Sequence, residues 1–536
     1  MPRSADLTLP HRPLRLIGGA AIAAGIAALI TILLLAILGA ATAQPGAAVT
    51  RLDIGWLLWI TTLQATLSTF FSLAAGVALA WSLNRLRFAG RGLVVGLFAS
   101  AIVTPGIIVA FGLLAVWGRS GWLSSLAIAA TGAPLDLPIF GLGGVVAAHV
   151  ILDGAFAARI LLARLDALPE QRLKMGQSLA LSAAQRFAIL DWPMLRGSLP
   201  GLGAVIFLLA FTSFPIVLLL GGGPAVQTLE VAIYSAVRLD FDLIAAVTLA
   251  LIQIAVCAAI ILLTAVARPV SISLAQPIEP RWRDDKPARV MQWVILTVAL
   301  LGFGLPLLAV LIGGLNGATQ VLAQSQFWRA LTSSLSIAIA SALLTLVLAT
   351  TLAAGRATIS SRALRIGLGI PAYAYLAMPA VALSLGAFIL VRNLGIGPEP
   401  AAPIVVILAN ALLALPFAMA TLAPGFDAIA ASHGKLLRSL GLGGLVQFTQ
   451  VEWPILARDF GVVFALAFCF SLGDLGVIAL FGTQDFVTLP LLMLRALGAY
   501  RSNDAAAIAA LMLVLTILAF SLLPPLFERL GNARAR

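Results

Sequence analysis

Long apolar stretches separated by short polar segments recur along the whole chain. A helix needs about 20 mostly apolar residues to cross the hydrocarbon core of a bilayer, and twelve stretches meet that requirement. The predicted spans are Ile17–Ala43, Trp56–Leu83, Gly92–Val116, Phe140–Leu162, Leu199–Leu220, Leu243–Ala267, Val290–Gly314, Leu331–Ala354, Ile366–Val391, Ile404–Leu422, Phe460–Phe481 and Ala505–Leu526. The pattern therefore predicts an all-α polytopic membrane protein with twelve transmembrane helices.

Positive charge is distributed unevenly over the segments between these spans. If the N-terminus is cytoplasmic, the cytoplasmic segments hold 26 of the 33 Lys and Arg residues, and the outside segments hold seven. Cytoplasmic loops of membrane proteins carry an excess of Lys and Arg. The charge distribution therefore predicts that both termini lie in the cytoplasm.

The composition supports a membrane protein and excludes several other classes. Of the 536 residues, 61% are hydrophobic and 10% are charged, whereas soluble domains carry about 25% charged residues. The chain is therefore not a soluble enzyme, a disordered chain or a soluble binding module, and its net charge of +12 reflects loop charge rather than a nucleic-acid surface. Cys257 and Cys469 lie in apolar stretches and the three histidines are scattered, so the sequence indicates no disulfide framework and no metal site.

The two halves of the chain repeat each other at an offset of 261 residues. Between residues 166 and 195, ten of thirty positions match their partners: Asp166, Ala167, Lys174, Ser178, Leu179, Leu181, Phe187, Trp192, Pro193 and Leu195. This stretch is a polar loop, and polar loops do not match through composition alone as apolar helices do. Because each half has an even number of spans, six, the sequence predicts two parallel six-helix repeats with a pathway between them.

A polar segment that contains arginine and proline separates the halves and is interpreted as a cytoplasmic linker. The domains that follow from this division are an N-terminal tail with the first helix (1–55), a first transmembrane domain (56–267), the linker (268–289), the seventh helix with an outer loop (290–328), a second transmembrane domain (329–526) and a C-terminal tail (527–536).

Each repeat carries a cytoplasmic loop with a small residue near its centre and a proline thirteen residues later. The small residue is Ala180 in the first loop and Gly441 in the second, and the prolines are Pro193 and Pro454. A small residue at a turn lets a short helix break and lie across the membrane face. This shape suits a loop that docks into a socket on another protein.

These loops resemble the signature of permease subunits of binding-protein-dependent ABC importers, which runs Glu-Ala-Ala, three residues, Gly, nine residues, then Ile-x-Leu-Pro. The spacing is kept twice, but Lys174-Met175-Gly176 and Lys435-Leu436-Leu437 replace Glu-Ala-Ala, and the glycine is absent from the first copy. The resemblance implies that both loops dock ATPase subunits. The residues it assigns to this contact are Lys174, Ser178, Leu179, Ala180, Phe187, Trp192, Pro193, Lys435, Ser439, Leu440, Gly441, Phe448, Trp453 and Pro454.

A closer resemblance, over essentially the whole chain, is to the fused permeases that import thiamine and thiamine pyrophosphate. It depends on the segments 213–215, 220–224 and 228–234 in the first half and 471–482, 486–490 and 498–502 in the second. The resemblance implies the type I ABC importer permease fold and a bacterial inner-membrane protein that carries thiamine and its phosphates. It also implies a periplasmic thiamine-binding protein and two ATPase subunits that bind ATP and Mg²⁺, whereas this chain itself binds no cofactor.

Two other function classes stay open at this point. Fused ferric-iron importer permeases share the duplicated twelve-span plan. An ion-coupled secondary transporter is also commonly duplicated, but it needs ionisable residues at membrane depth, where the chain offers chiefly Asp474 and, near a helix end, Asp153. The chain lacks a Gly-x-x-x-x-Gly-Lys-[Ser/Thr] loop, so it does not hydrolyse ATP by itself and is not an enzyme.

Asp474 lies inside the eleventh predicted span, where a carboxylate should face a partner or a watery cavity rather than lipid. One interpretation makes it a residue of the transport pathway, together with Gly473, Gly476 and Ser213 of the other half. The alternative is that Asp474 caps a helix broken at glycine or pairs with Arg495 or Arg501.

The charge distribution predicts which introduced cysteines are accessible from outside the cell. Ser271 lies in the predicted cytoplasmic linker and Gly132 in a predicted outer loop. In intact cells, a cysteine replacing Ser271 should resist a membrane-impermeant thiol reagent, whereas one replacing Gly132 should react. Permeabilised cells, in which both cysteines should react, serve as the control. Reversed labelling in intact cells would contradict the orientation.

Overall fold

The computed structural model describes residues 12–42, 53–223, 226–264, 282 and 284–535. These parts of the chain form helices and no β-strand. Ten helices within them are long and apolar enough to cross a membrane, or up to twelve if each of two bent pairs is one span. The prediction of an all-α polytopic membrane protein is confirmed, and the predicted twelve spans lie at the upper end of that range. Most of the predicted linker, including Ser271, lies outside the described residues.

The described part of the first half contains thirteen α-helices. They are α1 (Arg12–Thr42), α2 (Ile54–Arg85), α3 (Arg91–Ser100), α4 (Gly106–Trp117), α5 (Trp122–Thr131), α6 (Leu142–Asp166), α7 (Glu170–Ser178), α8 (Ala183–Arg186), α9 (Trp192–Arg196), α10 (Leu199–Phe211), α11 (Pro215–Leu220), α12 (Leu229–Arg238) and α13 (Leu243–Thr264). A single turn of π-helix, Phe187–Asp191, joins α8 to α9.

The second half contributes ten more α-helices to the described structure. They are α14 (Lys286–Leu322), α15 (Ser325–Ala357), α16 (Arg362–Gly369), α17 (Ala380–Asn393), α18 (Pro398–Ser439), α19 (Gly444–Gln447), α20 (Trp453–Leu472), α21 (Gly476–Phe481), α22 (Leu489–Gly498) and α23 (Ser502–Ala535). A 3₁₀ segment, Ile370–Ala377, lies between α16 and α17, and a second π-helical turn, Phe448–Glu452, joins α19 to α20.

The seventh membrane helix begins earlier than the hydropathy pattern indicates. Helix α14 starts at Lys286, four residues before the predicted span, with Asp285 at the N-cap position and a proline in the first turn. Proline is well tolerated there because the first N–H groups of a helix have no partner within the helix. The last residues assigned to the linker are therefore the first turn of this helix.

Four predicted spans are broken rather than continuous. The third divides into α3 and α4 before Gly106, the fifth into α10 and α11 before Pro215, the ninth bends by 92° before Ala380, and the eleventh divides at Gly473. Pro105 and Pro379 are the N-cap residues of α4 and α17. Proline has no N–H to donate to the preceding turn, so it ends or kinks a helix without making the segment less apolar. Hydropathy alone therefore does not detect these breaks.

The first membrane helix of each half packs against the other half. Helix α1 lies against α15 and α17, and α14 lies against α2 and α4 as well as α23. Glycines permit close contact: a Cβ atom added to Gly19 would lie 3.1 Å from the Cα of Gly355, and one added to Gly112 would lie 2.6 Å from the carbonyl oxygen of Pro306. The two halves are thus interlocked through their first helices.

The contact between α14 and α23 gives a test of this packing. A Cβ atom on Gly317 would lie 2.0 Å from the backbone oxygen of Asn503, whereas one on Gly304 of the same helix meets open space. Overpacking a helix contact costs about 1–3 kcal/mol. We expect Gly317→Ala to lower the melting temperature of the detergent-solubilised protein and its monodisperse yield, with Gly304→Ala as the matched control. Equal stability of the two variants would contradict the packing.

Candidate functional site

The four broken spans surround one cavity of about 270 Å³. Its lining includes residues 101–106, 213–216, 375–376, 379–380 and 473–476, which lie at the four breaks. All four residues predicted to form part of a pathway, Asp474, Gly473, Gly476 and Ser213, lie in this lining. The structure therefore brings together, from both halves, the residues that the sequence analysis grouped, and the volume approaches the roughly 300–1,000 Å³ of small-molecule pockets.

Glycines at the breaks let the broken helices touch one another. A Cβ atom on Gly473 would lie 2.5 Å from Cγ of Pro105, so the eleventh and third spans meet without room for a side chain. A Cβ atom on Gly476 would lie 3.0 Å from Cβ of Ala380, which belongs to the ninth span. The glycines around Asp474 thus fix the position of its carboxylate relative to both halves.

The side chain of Asp474 caps the first turn of the short helix α21 from the position before its N-cap residue, Leu475. Its Oδ1 atom accepts a hydrogen bond from the backbone N–H of Val477 at 3.3 Å, and its buried Oδ2 atom has no hydrogen-bond partner among the described residues. The two arginines considered as partners are engaged elsewhere: Arg495 donates to the backbone oxygen of Thr483, and Arg501 pairs with Asp504. This hydrogen bond agrees with the interpretation of Asp474 as a helix cap. Because Asp474 also lines the cavity, its interpretation as a pathway residue stays open.

The cavity wall also contains groups from α6 and several aromatic rings. His149 and Asp153 are buried, and Nδ1 of the histidine lies 3.0 Å from Oδ2 of the aspartate. Tyr375, Phe417 and Phe470 supply rings to the wall. A carboxylate and aromatic rings in the wall of one cavity suit a cationic ligand, because both attract positive charge. Within the described part of the chain, no group of three or more His, Cys, Asp or Glu side chains could hold a metal ion.

A further buried carboxylate, Glu230, was not predicted from the sequence. It lies on α12, a short helix that the hydropathy pattern does not predict, and its side chain is buried. Nε2 of Gln253 on α13 donates to its Oε1 atom at 3.1 Å, while Oε2 has no hydrogen-bond partner among the described residues. The sequence feature that could have indicated this buried residue is a glutamate among apolar residues outside any predicted span.

The two predicted docking loops share the same central turn, although α7 is separate from α6 in the first loop and α18 continues to Ser439 in the second. The first loop is defined here as residues 167–191 and the second as residues 428–452. Ala180 and Gly441 both adopt left-handed backbone conformations, with φ of 47° and 64°. Leu179 and Leu440, each directly before this turn, are exposed to 68% and 60%. Each loop thus presents an apolar side chain beside a sharp turn.

The other residues predicted for the loops fall into two groups. Lys174 forms an exposed ion pair with Glu170 at 3.0 Å, and Lys435 is exposed. Ser178 and Ser439 each bond back to a carbonyl three residues earlier in their own helix. The aromatic residues lie at the opposite end: the ring centroids of Phe187 and Trp192, and likewise of Phe448 and Trp453, are 6.2 Å apart, and Pro193 and Pro454 start the helices that follow.

Buried ion pairs anchor both loops. In the first, Asp191 at the end of the π-helical turn accepts from Arg85 of α2 at 2.5 and 2.6 Å. In the second, Glu452 at the matching position accepts from Arg15 of α1 at 2.6 and 3.0 Å. Charge-assisted hydrogen bonds of this geometry are stronger than neutral ones. The loops are therefore held to specific membrane helices.

Comparison with known proteins identifies the family. The thiamine transport system permease protein ThiP of Brucella melitensis is 36% identical over 460 residues, which cover 85% of this chain and 84% of that protein. The Escherichia coli protein of the same name is 36% identical over 476 residues, 86% of this chain and 87% of its own length. This chain belongs to the thiamine transport system permease family. No protein-family model matches it.

Family membership confirms the resemblance drawn from the sequence. The chain is a multi-pass membrane permease, a transport protein and not an enzyme. The cavity between the halves and the two anchored loops are accordingly the two candidate functional regions of a permease.

Proposed function

We propose that this chain is the bacterial inner-membrane permease of an ATP-driven ABC importer and forms the pathway for thiamine and its phosphates. The likeness to thiamine transport permeases over 85% of the chain is the observation that carries the proposal. The twelve spans would form two parallel six-helix repeats of the type I importer fold, with both termini in the cytoplasm. A periplasmic thiamine-binding protein would deliver the cargo to the outer side.

The two loops are the proposed contact with a pair of ATPase subunits. Their exposed Leu179 and Leu440 suit insertion into sockets, and their buried ion pairs suit the transfer of force to the membrane helices. Closure of the ATPases would push both loops together and change the cavity by rigid-body movement. ATP and Mg²⁺ would be bound by the ATPase subunits, and this chain would need no cofactor of its own.

The ferric-iron alternative has weaker support. A ferric transport system permease protein, FbpB of Actinobacillus pleuropneumoniae, is 25% identical over 198 residues, which cover 36% of this chain and 29% of that protein. The two cargoes are distinguished by measuring uptake of labelled thiamine and of labelled ferric iron by the reconstituted complex. Unlabelled thiamine, its phosphates and ferric iron serve as competitors. Competition by iron and not by thiamine would overturn the proposal.

Gly441 tests the docking role of the second loop. Its positive φ costs an L-residue such as leucine about 1–2 kcal/mol, whereas asparagine tolerates this conformation. We expect Gly441→Leu to reach the membrane but to copurify with less ATPase or to hydrolyse ATP without uptake, and Gly441→Asn to resemble the wild type. Substitution of Ala180, already an L-residue in this conformation, should be tolerated better. Normal complex yield and normal uptake in Gly441→Leu would exclude the docking role.

Removal of the charge of Asp474 tests whether this residue belongs to the transport pathway. Thiamine carries a thiazolium cation, and Asp474→Asn keeps the shape and the cap to Val477 while it removes the negative charge. A unit charge 4 Å away is worth about 1 kcal/mol even in bulk water, so thiamine uptake should fall at least about fivefold with normal expression. Asp136→Asn, which removes the same charge from an exposed ion pair with Arg119 away from the cavity, is the matched control. Unchanged uptake would remove a required anionic site, and loss of folded protein would assign Asp474 to structure.

A further inference from the structure

Each loop is tied by charge to the first helix of the opposite half. Arg15, near the start of α1, belongs to the first half and packs with α1 against the second. It pairs with Glu452 and also donates to the backbone oxygen of Gly444 at 2.8 Å, so it contacts two points of the second loop.

The start of the second half makes the reciprocal contact with the first loop. Asp284, just before α14, pairs with the buried Arg186 at 2.9 Å and accepts from Gln292 at 2.7 Å. Trp282 lies under the same arginine, whose guanidinium carbon is 4.0 Å from the ring centroid. A Cβ atom on Gly176 of α7 would lie 2.8 Å from that ring. The segment that leads into α14 is therefore packed beneath the first loop.

These two ties do not follow from the internal repeat. Asp191 and Glu452 hold the same position in the two loops, but Asp191 pairs within its own half, with Arg85. The first loop instead contributes the basic partner, Arg186, to the contact with the opposite half, and the second contributes the acidic partner. Each loop is thus joined to the opposite half by an ion pair, but the two pairs use different positions. The first loop supplies the basic residue of its pair, and the second loop supplies the acidic one.

The pairs are shielded well enough to hold the loops in place. The side chains of Arg186, Asp284 and Glu452 are 1%, 3% and 3% exposed, and that of Arg15 is 15% exposed. Burial raises the pKa of Asp284 above its ordinary value, while the charge of Arg85 and the hydrogen bond from Gln292 oppose that shift. Replacement of Arg15 or Asp284 by a neutral residue would leave Glu452 or Arg186, respectively, buried without its charged partner.

We propose that Arg15 and Asp284 are positioning residues that lock each ATPase-docking loop to the first membrane helix of the opposite half. The inference rests on the proposed docking function of the loops. A displacement of either loop then moves helices of both halves, because α1 and α14 each pack against the opposite half. The two ties thereby make the movement of the halves concerted rather than independent.

The experiment uses the full complex in proteoliposomes with its binding protein, and measures thiamine molecules imported per ATP hydrolysed. Arg15→Gln and Asp284→Asn should each lower this ratio several-fold, and the double variant should lower it further. Asp285→Asn removes the same charge at the exposed neighbouring position and is the control. The reversed pair, Arg15→Glu with Glu452→Arg, should recover part of the ratio lost in Arg15→Gln, because it restores the ion pair but not the hydrogen bond to Gly444.

The outcomes separate this inference from the function on which it rests. A ratio in Arg15→Gln and Asp284→Asn equal to that of Asp285→Asn overturns the inference, as does a lower complex yield with an unchanged ratio, which would show a structural role alone. Failure of the reversed pair to recover the ratio overturns the pairing of Arg15. If wild-type complex imports no thiamine, or if cysteines at Ser178 and Ser439 do not cross-link to the ATPases, the proposed function itself fails.

Discussion

Hydrocarbon offers a polypeptide no hydrogen bonds, so a backbone that leaves the helical pattern inside a membrane must be enclosed by protein or line a cavity. Four spans of this chain break, and all four breaks line the same cavity. The backbone is satisfied there locally: the N–H of Thr104 donates to Ser100, that of Met378 to Tyr375, and that of Val477 to the side chain of Asp474. The cavity and the breaks are therefore one feature, and neither could be placed against lipid.

The span pattern could be predicted from sequence because hydropathy integrates over about 20 residues and ignores local geometry. The breaks could not be predicted in this way, although Pro105, Pro215 and Pro379 stood in the sequence, because prolines also occur inside continuous helices. Helix α18 shows this, since it runs through Pro403, Pro416 and Pro424. Whether a proline breaks a span depends on what encloses the freed backbone, and that is a property of the assembled helices.

The repeat revealed the positions of the loops but not their anchors. Local spacing was enough to identify Ala180 and Gly441 as turn residues, since a turn is formed by neighbours in sequence, and both have positive φ. Arg15 and Glu452 are separated by 437 residues, and nothing in the spacing of either loop indicates that contact. Glu230 escaped notice for a related reason: its partner Gln253 lies on the next helix, and α12 is too short to register as a span.

Positions that match in the internal sequence repeat carry different side chains at the cavity. At the offset of 261 residues, Asp474 corresponds to Ser213 and His149 to Asn410. Nδ2 of Asn410 donates to Oγ of Ser471 at 2.9 Å and so ties α18 to α20. Nδ1 of His149 instead lies 3.0 Å from Oδ2 of Asp153, which belongs to the same helix. The matched positions therefore carry different side-chain interactions: an amide that joins two helices in the second half, and a buried His–Asp pair in the cavity wall in the first. The two halves therefore offer different chemistry to the cavity, even though their sequences repeat.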